Sequence, residues 1–152
     1  MLRQGLQVSL PSELEWEKAA RGGQSHQVFS WGDDPDPEQS NFWDTHIRHT
    51  SAVGCFPANG YGLHDMLGNV LEWTRSLWTA PDDGAANRYP DSVRQRRFEA
   101  LDAGNEIARL VRGGSWVDSR DGARCAWRGG GRPGGRGGDL GFRVVLRSAP
   151  VP

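Results

Sequence analysis

Lysine is nearly missing from this 152-residue chain: Lys18 is the sole example, so basic charge rests on arginine. Arginine presents five donors in a rigid fork and stacks on planar groups, which suits defined contacts better than general solubility, although biased codon usage gives the same composition. Cysteine is almost as scarce, with Cys55 and Cys125 far apart. Two cysteines cannot form a disulfide-rich scaffold, and their spacing does not decide whether they pair. No stretch approaches the roughly 18 apolar residues of a membrane helix, and the opening MLRQG does not begin a signal peptide. A soluble protein or fragment with no membrane span is therefore expected, its compartment unspecified. Also missing are a phosphate-binding G-x-x-x-x-G-K-[ST] loop, an EF-hand loop and internal repeats. His26, His46, His49 and His64 have no thiolate near them and read as polar loop residues before zinc ligands.

Glycine, in contrast, is abundant, at 21 of 152 residues, and 36% of the chain is hydrophobic. That balance fits one domain with a modest core and many turns. The clearest helix lies within LPSELEWEKAARGG at 10–23, where Ser12 caps, Glu15 completes a capping box, Glu13 complements the positive end and Gly22 or Gly23 stops it. Residues 24–50 scatter Phe29, Trp31, Phe42 and Trp43 among polar turns without either period, which predicts ordered loops whose aromatics plug into the body. Leu63, Met66 and Leu67 have the spacing of a short helical face, and the segment through Val70 to Trp73 reads as a strand. Glu72, between two large apolar residues, is expected to be hydrogen-bonded or exposed rather than catalytic. Residues 80–108 are polar, with a turn signal at Pro81-Asp82-Asp83-Gly84.

Residues 109–146 organise the rest. Leu110-Val111 and Gly141 to Leu146 read as packed strands, with Leu140, Phe142, Val144 and Leu146 alternating as a half-buried strand does. From Gly129 to Gly141, eight of thirteen positions are glycine, which makes helix or central strand costly. A disordered Gly/Arg linker and a pinned surface segment both fit that composition; the apolar strand that follows favours the pinned segment. The tract carries eight arginines and three aspartates, whereas residues 1–108 carry nine basic and sixteen acidic residues. This predicts a basic ridge on an acidic body, suited to acidic or polar partners. Arg-Gly-Gly triplets at 112, 128 and 136 would fit single-stranded nucleic acid if the tract were disordered; the acidic body argues against a specific nucleic-acid partner.

Four blocks are similar, in text, order and spacing, to the formylglycine-generating-enzyme (sulfatase-modifying factor) superfamily: LPSELEWEKAARGG at 10–23, FPANGYGLHDMLGNVLEW at 56–73, VRGGSW at 111–116 and LGFRVVL at 140–146. The resemblance implies an α+β, C-type-lectin-like fold of small twisted antiparallel sheets, short helices and extensive ordered loops. It implies a single domain over 1–152 that lacks part of the usual N-terminal region, with 109–146 as an anchored ligand-binding tract. In the superfamily's enzymes, two redox cysteines follow the GGS-aromatic block and serve copper-dependent oxidation of a substrate cysteine. Here the first falls on Asp118, none lies from Val117 to Arg124, and Cys125 is near a different, unreactive cysteine. A carboxylate replaces a thiolate neither as a Cu(I) ligand nor as a nucleophile. No copper and no formylglycine generation are expected, the alternatives being an oxidase of that type or a degenerate structural domain.

The C-terminal text resembles more closely the retroelement-diversified variable proteins of the same superfamily. Ser115, Trp116, Arg124, Ala126, Arg128, Pro133, Arg136 and Gly141-Phe142-Arg143 match their anchors. Val117, Asp118, Ser119, Asp121, Gly122, Gly129, Gly130, Gly131, Gly135, Gly137, Gly138 and Asp139 match positions that vary, and Arg120 and Arg132 join them as candidate ligand-binding residues. The implied role is noncatalytic recognition of an unidentified protein or surface ligand through this tract, the oligomeric state unset. Trp116 and Trp127 are either contacts or core plugs. The resemblance also implies calcium positions at Asn41 with Phe42 and Asn69 with Leu71.

Overall fold

In the computed structural model, which describes residues 6–78 and 102–148, the helix signal becomes α1, Glu13–Ala20. Ser12 Oγ accepts the Glu15 amide at 3.2 Å while Glu15 Oε2 accepts the Ser12 amide at 2.8 Å, closing the capping box. Past its end, Gly22 turns at φ 57°, and a Cβ there would lie 2.8 Å from Gly60 N, so only glycine lets the two loops meet. A helix this short holds through packing. Trp16 and Ala20 are buried with Phe29, Met66, Leu67 and Cys125, and the loop aromatics Phe29 and Trp31 stack at 5.1 Å.

The helix lies on a four-stranded sheet whose centre is β2 (Leu71–Leu77) antiparallel to β3 (Arg109–Arg112). Outside β3 runs β4 (Gly129–Gly131), antiparallel; outside β2 runs β5 (Leu140–Phe142), parallel. A separate antiparallel ribbon joins β1 (Leu6–Ser9) to β6 (Val145–Ser148). The architecture is the expected α+β, lectin-like arrangement of small sheets, short helices and long loops, with one parallel pairing added. The turn signal at 81–84 lies outside the described residues.

Three expectations change. Leu63, Met66 and Leu67 form no helix, because Asp65 and Asn69 both take positive φ; Met66 and Leu67 are nevertheless buried. The alternation across 140–146 has the right period for its later residues and the wrong face: Phe142, Val144 and Leu146 are 68%, 50% and 59% exposed. Strand also reaches into the glycine tract, since Gly129–Gly131 forms an edge of the sheet.

Nor is the tract a simple basic ridge, because several of its arginines turn inward. Arg112, fully buried, donates to Glu13 at 2.6 Å, to Glu17 at 2.8 Å and to the Cys125 carbonyl at 2.6 Å. Arg128 also grips Glu13, at 2.5 and 2.8 Å. Arg143 makes a two-pronged bond to Glu72, at 2.5 and 2.7 Å, and Trp16 Nε1 donates to the same carboxylate at 2.6 Å. Glu72 is thus buried and hydrogen-bonded. Glu15 joins Arg75 and Arg147. Burial pushes its carboxyl up, but the Ser12 amide, Arg75 and Arg147 outweigh that and hold it at about 2, below its ordinary 4.5.

Candidate ligand-binding surface

Four segments distant in sequence are knitted together by backbone hydrogen bonds. Asn69 N donates to Asn41 O at 2.7 Å, Trp116 N to Asn69 O at 3.1 Å, and Trp43 N to Asp118 O at 2.9 Å. Gly68 N reaches Gly113 O and Leu71 N reaches Asp139 O, both at 2.7 Å. Side-chain amides brace the knot: buried Asn41 donates to His49 O and Ser51 Oγ, while its Oδ1 accepts Thr45 Oγ1. Asn69 Oδ1 accepts the Ser51 amide at 3.0 Å.

The knot presents a patch of aromatic, aliphatic and cationic groups. Trp43, Ile47 and Val117 are exposed; the Arg48 guanidinium lies 3.5 Å from the Trp43 ring centre, and His49 stacks on Trp116 with centroids 6.1 Å apart. Trp116 is half-buried and not part of the core cluster, and its Nε1 faces Gly138 O at 3.4 Å. Cation-stacked and paired aromatics on fixed backbone have the composition of binding hot spots. Trp43, Ile47, Arg48 and His49 were missed in the sequence because their partners, Trp116 and Asp118, lie about seventy residues downstream; only the unexplained aromatic density of residues 24–50 signalled them.

The expected tract residues divide by environment. Val117, Ser119, Arg120 and Asp121 are exposed, and Asp118 is half-buried with Oδ2 accepting Ser115 Oγ at 2.7 Å. Gly122 is buried, and Trp127 is half-buried. Gly129, Gly130 and Gly131 receive indole rings: an added Cβ would lie 2.5 Å from Trp127, 2.6 Å from Trp78 and 2.6 Å from Trp73 respectively. These three glycines serve close packing, whatever their counterparts do. Arg132, Gly135, Gly137 and Gly138 are exposed, and Asp139 is half-buried. The tract therefore splits into an open part beside the aromatic patch and a wall fitted to tryptophans.

At the calcium positions, the amide oxygens of Asn41 and Asn69 already accept protein hydrogen bonds, and the Phe42 carbonyl accepts Thr45 N and Oγ1. Leu71 donates its amide N–H to the Asp139 carbonyl and has only its own backbone carbonyl oxygen to offer a metal. Among the described residues, no three His, Cys, Asp or Glu side chains converge in a way that could hold a metal ion. Calcium takes six to eight oxygens, and the Asn41, Phe42 and Asn69 oxygens at these positions are engaged in hydrogen bonds within the protein.

Both cysteines are free: Cys55 is exposed and Cys125 fully buried. Burial pushes the Cys125 thiol up to about 11, away from the thiolate that thiol chemistry needs. With Asp118 bonded to Ser115, the place of the expected reactive thiol is held by a structural carboxylate.

The sulfatase-modifying factor enzyme 1-like domain model matches residues 4–148. The chain is 35% identical to the inactive C-alpha-formylglycine-generating enzyme 2 of Bos taurus, over 94% of this chain and 45% of that protein. Among solved structures it resembles Treponema denticola variable protein 1, with TM-score 0.69 and 29% identity over 94% of this chain and 48% of that one. It also resembles PvdO from Pseudomonas aeruginosa, with TM-score 0.71 and 27% identity over 96% and 54%. The chain thus spans about half the length of these relatives.

Proposed function

Since this chain belongs to the sulfatase-modifying factor enzyme 1-like family yet has no cysteine pair beside its GGS-aromatic block, we propose that it is a noncatalytic recognition domain for a protein or cell-surface ligand. The observation that carries the reading is the joining of exposed Trp43, Arg48 and His49 with half-buried Trp116 on hydrogen-bonded backbone, Val117 lying beside them. Backbone fixed this way lets neighbouring side chains change without disturbing the core, so less ordering entropy is lost when a partner binds. Similarity to a protein named variable supports the same division between scaffold and changeable surface.

The reading is tested by randomising Val117, Ser119, Arg120 and Asp121 and selecting the library against lysozyme as an arbitrary protein target. Folded binders should emerge whose affinity falls about tenfold or more on Trp43→Ala or Trp116→Ala. Collapse of the fold on randomisation, or binders indifferent to both tryptophans, would overturn it. So would oxygen consumption with copper and a cysteine-bearing peptide that is lost on Cys55→Ser or Cys125→Ser. Calcium has a place in this reading only if it displaces Thr45 from Asn41 and Ser51 from Asn69; a melting temperature unchanged by millimolar calcium would remove it.

A further inference from the structure

Among the described residues, three tryptophans carry an arginine on the ring. The guanidinium of Arg112 lies 5.1 Å from the Trp16 ring centre and that of Arg128 lies 5.9 Å from the Trp78 ring centre, and both grip the Glu13 carboxylate. The third, Arg48, lies 3.5 Å from the Trp43 ring centre on the exposed loop and makes no ion pair among the described residues. Its position is nevertheless set. Nη2 lies 3.3 Å from His46 Nδ1, which must accept because a guanidinium only donates. His46 and Arg48 reach this arrangement with φ at 57° and 62°, a left-handed backbone that is costly for residues with a Cβ. The next residue, His49, is tied to the knot through its carbonyl, which accepts the Asn41 side-chain amide at 2.9 Å.

We propose that Arg48 on Trp43 is the receiving point for one carboxylate, an aspartate or glutamate side chain of a partner protein, which completes the arginine-on-tryptophan grip that Glu13 completes twice inside the body. This role presupposes recognition through the same patch and adds the chemistry selected there. Nη2 has two hydrogens, one beside Nε–H and the other beside Nη1, so whichever one His46 takes, a two-pronged face stays open to a carboxylate. Stacking on the indole holds the plane of the fork, so little side-chain freedom is lost when it is filled. An extended polyanion fits less well, because exposed Asp44 adjoins Trp43 and exposed Asp121 lies on the neighbouring tract. Exposed Ile47 and Val117 supply apolar contact for residues flanking the acid.

The test displays random dodecapeptides on phage and selects them on the full 152-residue chain, discarding those still retained by Trp43→Ala. Recovered peptides should carry an aspartate or glutamate beside apolar residues, and exchanging that acid for its amide in the synthetic peptide should weaken binding about tenfold in fluorescence polarisation. Arg48→Lys, which keeps the charge and loses the fork, and Arg48→Gln should each weaken the parent peptide about as much and the amide peptide little further, whereas Phe142→Ser should change nothing. Circular dichroism and thermal melts verify that the variants fold. Trp43-dependent peptides with no acid, or peptides indifferent to both Arg48 variants, would overturn the carboxylate role and leave recognition by the patch standing; a selection with no Trp43-dependent peptide would overturn both. Heparin binding tighter than the peptide's and lost on Arg48→Gln would overturn it in favour of a polyanionic ligand.

Discussion

Replacing Glu72 by leucine removes the acceptor shared by Trp16 Nε1 and both prongs of Arg143. The Trp16 indole is fully buried, so its stranded N–H alone costs about 1–3 kcal/mol. Arg143 is less exposed to that loss, because its side chain is 25% accessible and its Nη2 keeps the Asp65 carbonyl at 2.9 Å. Together with the broken ion pair, the expected loss is about 3–5 kcal/mol, equivalent to a melting temperature lower by roughly 6–20 °C for a domain of this size. Urea unfolding gives the free energy, and a cycle with Arg143→Met isolates the pair. Arg143→Met should itself cost several kcal/mol by leaving Glu72 buried, while the double variant should cost less than the sum of the singles by about 1.5 kcal/mol or more. A Glu72→Leu cost under about 1 kcal/mol, or singles additive within about 0.5 kcal/mol, would refute the view that this carboxylate ties α1 to the Gly-Phe-Arg block.

Acid should weaken the fold through Glu15. Its folded value of about 2 lies below the ordinary 4.5, so its contribution is complete above pH 4.5 and is lost as pH falls toward 2; solvent screening of this 39% exposed side chain reduces the effect to about 1–2 kcal/mol. Glu15→Gln should flatten that part of the stability–pH profile, and an unchanged profile counts against the assignment. Gly131→Ala should cost about 1–3 kcal/mol by forcing a Cβ against Trp73, whereas Gly138→Ala, with open space around it, should stay within about 0.5 kcal/mol; equal effects in chemical denaturation would contradict the division of the tract. Iodoacetamide should label Cys55 in the folded protein and Cys125 only after unfolding, as followed by mass spectrometry, and labelling of both at similar rates would show that the thiol at 125 is not sealed.

What could be read from the sequence was what is decided locally. The capping box of Ser12 and Glu15 needs only residues three apart, and it is present; the apolar Leu110-Val111 is a strand, though Arg109 and Arg112 extend it. Where the reading failed, a distant partner or a backbone turn had overruled a local pattern. Leu63, Met66 and Leu67 have helical spacing, yet positive φ at Asp65 and Asn69 bends the chain so that Asn69 can bond Asn41. Along 142–147, hydropathy assigns Phe142, Val144 and Leu146 to the interior, but the buried carboxylate of Glu72 draws Arg143 inward instead, while Arg147 on the same side pairs with Glu15 nearer the surface. A two-residue period allows one face or the other, so the apolar set must turn outward.

That inversion connects the scaffold to its two surfaces. Arg112 and Arg128 clamp the carboxylates of α1, Arg143 clamps Glu72, and indoles fill the space left by the glycines between them. Arginine count alone therefore overstates the charge offered to a partner, and glycine count overstates the tract's freedom. What remains for recognition is narrower: side chains around 116–121 beside the loop of Trp43 to His49. The other surface, the apolar track of Phe142, Val144 and Leu146, is exposed because Arg143 and Arg147 took the opposite side. If those clamps set the orientation of the strand, weakening them must disturb both surfaces together, whereas replacing Val117 or Phe142 must disturb only its own.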